Sequence, residues 1–329
     1  MLINRYFFGY LFIIWYTHDF FVFFNFFYLF NCLLFSMKIF DLPRTEEEAV
    51  AFLQENGILP AERICPNGHK MTLYFSTSIY WKCNTRPCLK KVAIRNGNWF
   101  VGSRLSFVTV VRFFYSWAEE LTSIKWCNKQ LDMAIATTVD WNAYMREAVA
   151  EQLSQRSQQK IGGEDMIVEI DETLFTKRKN NAGRVLPQQW VFGGLCRETG
   201  ACFLVQVPDR SAKTLMAEIK KHIKKGTTIY SDSWRAYKTE ELEKAGFEHF
   251  KVNHKYNFVD PDTGAHTQTV ERMWGSAKWR NKKHRGTARH FLESYLAEFM
   301  WRKLVGDSDV FEALLEAIRE FWPPETQMQ

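Results

Sequence analysis

Two runs rich in β-forming residues, 166–170 and 227–231, each lead to an aspartate where a buried strand would otherwise continue with apolar side chains: Asp171 in IVEID and Asp232 in TIYSD. A charge at the end of a core strand is costly unless a partner or a metal meets it. A third acid, Glu271 in HTQTVERMW, opens a helix-like, strongly basic stretch. Any fold of this chain must therefore accommodate three carboxylates carried on strand, strand and helix. Brought together, they could hold two hard divalent cations, Mg²⁺ or Mn²⁺, through oxygen ligands. Such a pair can clamp the attacking and leaving oxygens of an in-line displacement at a phosphodiester, with water or a DNA 3′-hydroxyl as nucleophile. Glu169 and Glu172 compete with Asp171 as ligand, and Glu169 shares its strand face because side chains alternate with period two.

The order of elements sets the fold class. Residues 166–175, 189–196 and 201–207 read as three strands joined by short turns, followed by a helix over 211–224 that Ser211 can cap. A short strand (227–231), a helix (233–245), another strand (249–253) and a helix from about Thr269 complete the pattern. Three meandering strands followed by crossovers predict a mixed α/β sheet flanked by helices, its first and fourth strands side by side. Glu271 would then sit on a helix packed across the sheet, with Trp274, Gly275 and Lys278 on the same helix face.

The N-terminal half reads differently. Residues 1–36 are almost wholly aromatic and aliphatic. Three readings are open for them: a membrane anchor, a mis-assigned start with Met37 as the true one, or a packed or disordered tail. In 37–100, Thr45 and Glu48 make a capping box for a helix that Gly57 ends. Cys65, His69, Cys83 and Cys88 then space out as knuckle, hairpin and knuckle, the plan of a zinc ribbon. The competing reading is buried thiols beside a surface histidine. Cys127, Cys196 and Cys202 read as small core residues. Residues 101–153 show helical spacing in three segments, about 107–121, 129–136 and 139–151, and fit a helix-turn-helix type of module. Polar 154–165 reads as a linker, 166–305 as the mixed sheet domain, and 306–329 as a C-terminal helix and tail.

Charge points the same way as the acids. Lys and Arg outnumber Asp and Glu by 43 to 37, a weak excess overall. From Arg272 to Leu292, however, there are seven basic residues and no acid: Arg272, Lys278, Arg280, Lys282, Lys283, Arg285 and Arg289. With Lys177, Arg178 and Lys179 just after Asp171, they form either a solvated basic face or a row of phosphate contacts. KWRNKKHR also fits a basic nuclear import signal.

The segments VEIDETLFTKRK, IYSDSWRAY and HTQTVERMWGSAKWRNKKHRG resemble, in order, the three signature blocks of the Merlin-type DDE transposases and their bacterial insertion-sequence relatives, the ISXO group. The resemblance spans roughly residues 60–305. It implies an RNase H-like catalytic domain that uses two metal ions to cleave and transfer DNA strands at transposon ends. Asp171, Asp232 and Glu271 carry over as metal ligands, and His266 and Gln268 lie near the site. A zinc-binding element is also implied, although the family more often has a cysteine where this chain has His69. The implied partner is double-stranded DNA, both terminal inverted repeats and target, held by a homodimer or larger synaptic complex. No small-molecule substrate is implied. Such a protein would work in the nucleus of a eukaryote or the cytoplasm of a bacterium. The alternative is a sequence-specific DNA-binding protein descended from a transposase, with catalysis lost.

Overall fold

The computed structural model describes residues 37–156, 160–175, 189–252, 264, 266–283 and 289–325. The readings placed on 1–36, on Lys177, Arg178, Lys179 and Arg285, and on the side chains of Arg280, Lys282, Lys283 and Arg289 lie outside the described residues. Among the described residues no helix is long and apolar enough to cross a membrane. The chain divides into two compact units, 1–42 and 43–329. The described part of the first holds a single 3-10 turn, Ile39–Asp41.

The second unit begins with helix α1 (Glu46–Glu55). Thr45 and Glu48 form the expected capping box, and Gly57 follows with φ +68. Strands β1 (Thr72–Tyr74), β2 (Tyr80–Lys82) and β3 (Lys91–Ala93) make a small antiparallel sheet. Leu73, Trp81 and Val92 pack with Cys65 and Cys83 on its inner face.

Three helices follow: α2 (Phe107–Ala118), α3 (Ile124–Leu131) and α4 (Ile135–Arg156). The sequence put the second helix over 129–136, but Asp132 adopts a left-handed conformation (φ 50) and ends α3, so that segment straddles a break. The linker expected from residue 154 also begins later, because α4 runs on to Arg156. Its polar side chains have partners on helix α9 (Val310–Phe321): Gln152 donates to Glu320 at 2.7 Å, and Arg156 lies 3.2 Å from Glu316.

The larger sheet has five strands: β4 (Ile167–Leu174), β5 (Trp190–Cys196), β6 (Cys202–Val207), β7 (Thr228–Asp232) and β8 (Glu248–Val252), in spatial order β6-β5-β4-β7-β8. β4, β5 and β6 form an antiparallel meander, while β4–β7 and β7–β8 pair in parallel. This is the mixed α/β sheet, with its first and fourth strands side by side, that the order of elements predicts. One face is covered by α5 (Ala212–His222) and α6 (Thr239–Lys244), over a core of Val168, Ile170, Phe192 and Ile229. The other face is covered by α7 (Gln268–Lys283) and α8 (Leu292–Val305), over Val191, Leu195 and Leu204.

The helix read over 233–245 is shorter, only Thr239–Lys244. The Trp234 amide donates to Asp232 at 2.9 Å, a turn that competes with helix for the residues after the strand. Tyr237 is then buried against the sheet.

Candidate active site

Asp171 and Asp232 come together through strand register. β4 and β7 pair as Ile167 with Thr228 and Glu169 with Tyr230, and two more residues along the same register bring Asp171 beside Asp232. On the other side Asp171 faces Gly193 of β5. A side chain at Gly193 would put its Cβ 2.8 Å from Trp274, so this glycine lets α7 lie close over the sheet at the level of Asp171. Glu271, one turn into α7, faces the same region.

The three acids feel one another. The carboxyl of Asp171 is pushed up to about 7, first by burial, then by Glu172 and Asp232, with Glu271 adding to the same effect. A buried carboxyl with further acids beside it suits a hard divalent cation, whose charge would offset both the burial and the repulsion. The oxygens have not closed around a point. Among the described residues, the group whose ligand atoms all lie within 4.8 Å of one another is Cys65, His69, Cys83 and Cys88.

The competing acids have other partners. Glu172 points to the opposite face, where it accepts a hydrogen bond from the Tyr237 hydroxyl at 2.5 Å and lies 3.6 Å from Arg210. Glu169 shares the face of Asp171 but is fully buried and accepts from Arg197 Nε at 2.6 Å. It also accepts from the amides of Thr269 and Val270, both at 2.9 Å. His266 lies 3.5 Å from the same carboxylate, while Gln268 is exposed at the start of α7. Arg197 is a residue that the sequence reading missed. It sits in a turn, and nothing in the turn sequence RETG marks it.

Lys278 donates to Thr173, two residues beyond Asp171 on the same strand face, and lies 5.7 Å from the centre of the Phe175 ring. Trp274 is buried at the sheet, whereas Trp279 is 49% exposed.

The Cys/His cluster has the geometry of a closed metal site. Cys65 Sγ lies 3.5 Å from His69 Nδ1 and 3.6 Å from Cys88 Sγ, and Cys83 Sγ lies 3.6 Å from His69 Nδ1. A zinc tetrahedron with metal–sulfur bonds of about 2.3 Å has edges of about 3.5–3.8 Å, so the four ligands could hold Zn²⁺ without rearrangement. Two backbone turns present them: the Cys65 amide bonds the His69 carbonyl at 2.9 Å, and the Cys83 amide bonds the Lys90 carbonyl at 2.8 Å. The Cys88 thiol is pushed down to about 6 by the Lys90 backbone amide and by His69. His69 stands with the three cysteines as a group that could hold a metal ion.

Compared with known proteins, residues 160–303 match the family model of the ISXO2-like transposase domain. An uncharacterized transposase-like protein of Haemophilus influenzae is 29% identical over 100 residues, covering 30% of this chain and 78% of that protein. Male abnormal protein mab-31 of Caenorhabditis elegans is 24% identical over 318 residues, covering 86% of this chain and 69% of that one. Among solved structures, the HTLV-2 integrase catalytic core domain in complex with magnesium is similar at 14% identity and a TM-score of 0.30, over 43% of this chain and 86% of that chain.

Proposed function

We propose, from the match of residues 160–303 to the ISXO2-like transposase domain, that the chain is a metal-dependent enzyme that cleaves and transfers DNA strands at the ends of a mobile element. The single observation that carries this reading is the approach of Asp171, Asp232 and Glu271 to one another, where burial first, and the neighbouring acids Glu172, Asp232 and Glu271 after it, raise the pKa of Asp171. Two divalent cations held by these acids would activate the attacking hydroxyl and stabilise the leaving oxygen. Lys278, over the strand face of Asp171, offers an ammonium to the DNA backbone. Lys177, Lys179, Arg280, Lys282, Lys283 and Arg285 are the further candidates for phosphate contacts, on the charge of the sequence.

A second DNA-contacting region is supported by charge. Residues 63–118 contain nine Lys or Arg and no Asp or Glu. They include the candidate zinc module, whose outer sheet face presents Tyr74, Tyr80, Lys82 and Lys91. Lys82 lies 5.8 Å from the Tyr74 ring centre and Lys91 5.1 Å from that of Tyr80. Both ends of an element must be cut in concert, so a homodimer or larger assembly is the working form.

The test is cleavage. The full-length protein with Mn²⁺ and duplex DNA carrying the sequences that flank its coding region is expected to produce nicks, and Asp232→Asn to abolish them. Specific binding of that duplex without cleavage, across Mn²⁺ concentrations, would overturn the catalytic reading in favour of a DNA-binding descendant.

A further inference from the structure

Glu169 stands two residues before Asp171, and its carboxylate is the most completely enclosed acid near the site. It accepts the amides of Thr269 and Val270, which belong to the first turn of α7 and have no carbonyl partner within their own helix. An anion there also meets the positive end of the helix dipole. Glu271, the next residue along, projects from that same turn.

The other side of the carboxylate is held by Arg197, through Nε at 2.6 Å. That guanidinium stacks 4.7 Å above the Tyr230 ring and donates through Nη2 to the His266 carbonyl at 2.8 Å, fixing the segment that leads into α7. Thr267 donates to Glu271 Oε1 at 3.3 Å. One buried carboxylate thus ties the strand carrying Asp171 to the helix carrying Glu271, within two residues of each.

From this arrangement we infer that Glu169, with Arg197 as its counter-ion, is a positioning residue that sets the distance between Asp171 and Glu271 and so the affinity of the site for its divalent cations. The inference rests on the catalytic reading above, but its first readout does not. In the metal-free protein both amides share Oε2 while Oε1 takes Arg197, so the isosteric Glu169→Gln must turn its NH2 either on the two amides or on Arg197 Nε, donor against donor, and in both cases the start of α7 and Arg197 lose the anion between them. Faster hydrogen exchange at Thr269 and Val270 is the expected result.

Mn²⁺ titrated alone by calorimetry should then bind about 10–100-fold more weakly, the usual cost of losing the group that orients a metal ligand. Mn²⁺-dependent nicking of supercoiled plasmid should slow by a similar factor, with plasmid affinity unchanged. A group that merely kept the domain folded would lower the melting temperature without this split. Should Glu169→Gln not fold, Glu169→Asp keeps the charge, shortens the reach and is judged by the same measurements. Exchange and Mn²⁺ affinity matching wild type would overturn the inference, as would faster exchange with Mn²⁺ affinity unchanged. A wild-type chain that neither binds Mn²⁺ nor nicks DNA would instead refute the catalytic reading itself.

Discussion

His249 lies outside the carboxylate cluster, wedged between two hydroxyls: Nε2 is 2.9 Å from Ser231 Oγ and Nδ1 is 3.0 Å from Thr239 Oγ1. Burial, with Lys251 adding to it, pushes its pKa down to about 4 from an ordinary 6.5. The folded state therefore binds fewer protons than the unfolded chain between those two values. Stability from this group is fully present above the ordinary pKa and is lost as pH falls towards about 4. At about 1.4 kcal/mol per pK unit the loss is on the order of 3 kcal/mol. His249→Gln keeps a neutral amide between the same hydroxyls. Urea midpoints for wild type should fall from about pH 7 to about pH 4.5, and His249→Gln should flatten that fall. An equal slope in the two proteins would show that other groups carry it.

At the scale of elements, the site depends on how closely α7 lies on β4 and β5. Gly193 sets that approach, since a Cβ there would sit 2.7 Å from Leu204 and 2.8 Å from Trp274. Gly193→Ala is expected to cost about 1–3 kcal/mol of stability by overpacking, read as a lower denaturant midpoint. It should also weaken Mn²⁺ binding, because the displaced helix carries Glu271. An alanine tolerated on both counts would mean that α7 is not seated by this glycine. Much of this geometry was legible in the sequence. The alternation in IVEID gave Glu169 and Asp171 a common face, and the strand–helix order put β4 beside β7. The tie between Glu169 and the start of α7 was not legible, because it joins residues a hundred positions apart through backbone amides that any sequence would supply. The short α6 was missed because 233–245 has helical composition, while the Asp232 side chain caps a turn instead. The end of α4 was missed because its last turns are held by polar partners on α9, which leave no apolar stripe to read.

Across the whole molecule, charge is distributed unevenly in a way the overall excess of 43 over 37 conceals. The acids gather at the carboxylate site and on the helices, while residues 63–118 have none. The two basic regions are built differently. The one after Glu271 follows a metal-ligand candidate and would meet the phosphates being cut. The candidate zinc module instead offers a sheet face on which Tyr74 and Tyr80 stack at 5.8 Å, with lysines over both rings. Rings that hold lysine side chains in place reduce the entropy lost when those lysines engage phosphate. If that face grips DNA away from the chemistry, binding and cleavage must separate on mutation. Lys82→Glu with Lys91→Glu is expected to weaken DNA binding and to lower the slope of log affinity against log salt by about 0.9 for each phosphate that is no longer neutralised. Mn²⁺ affinity should stay at the wild-type value, because both lysines belong to the small sheet and Asp171 to the larger one. A double variant with an unchanged salt slope would remove this face from the DNA interface and leave the basic segment behind Glu271 to grip the phosphates.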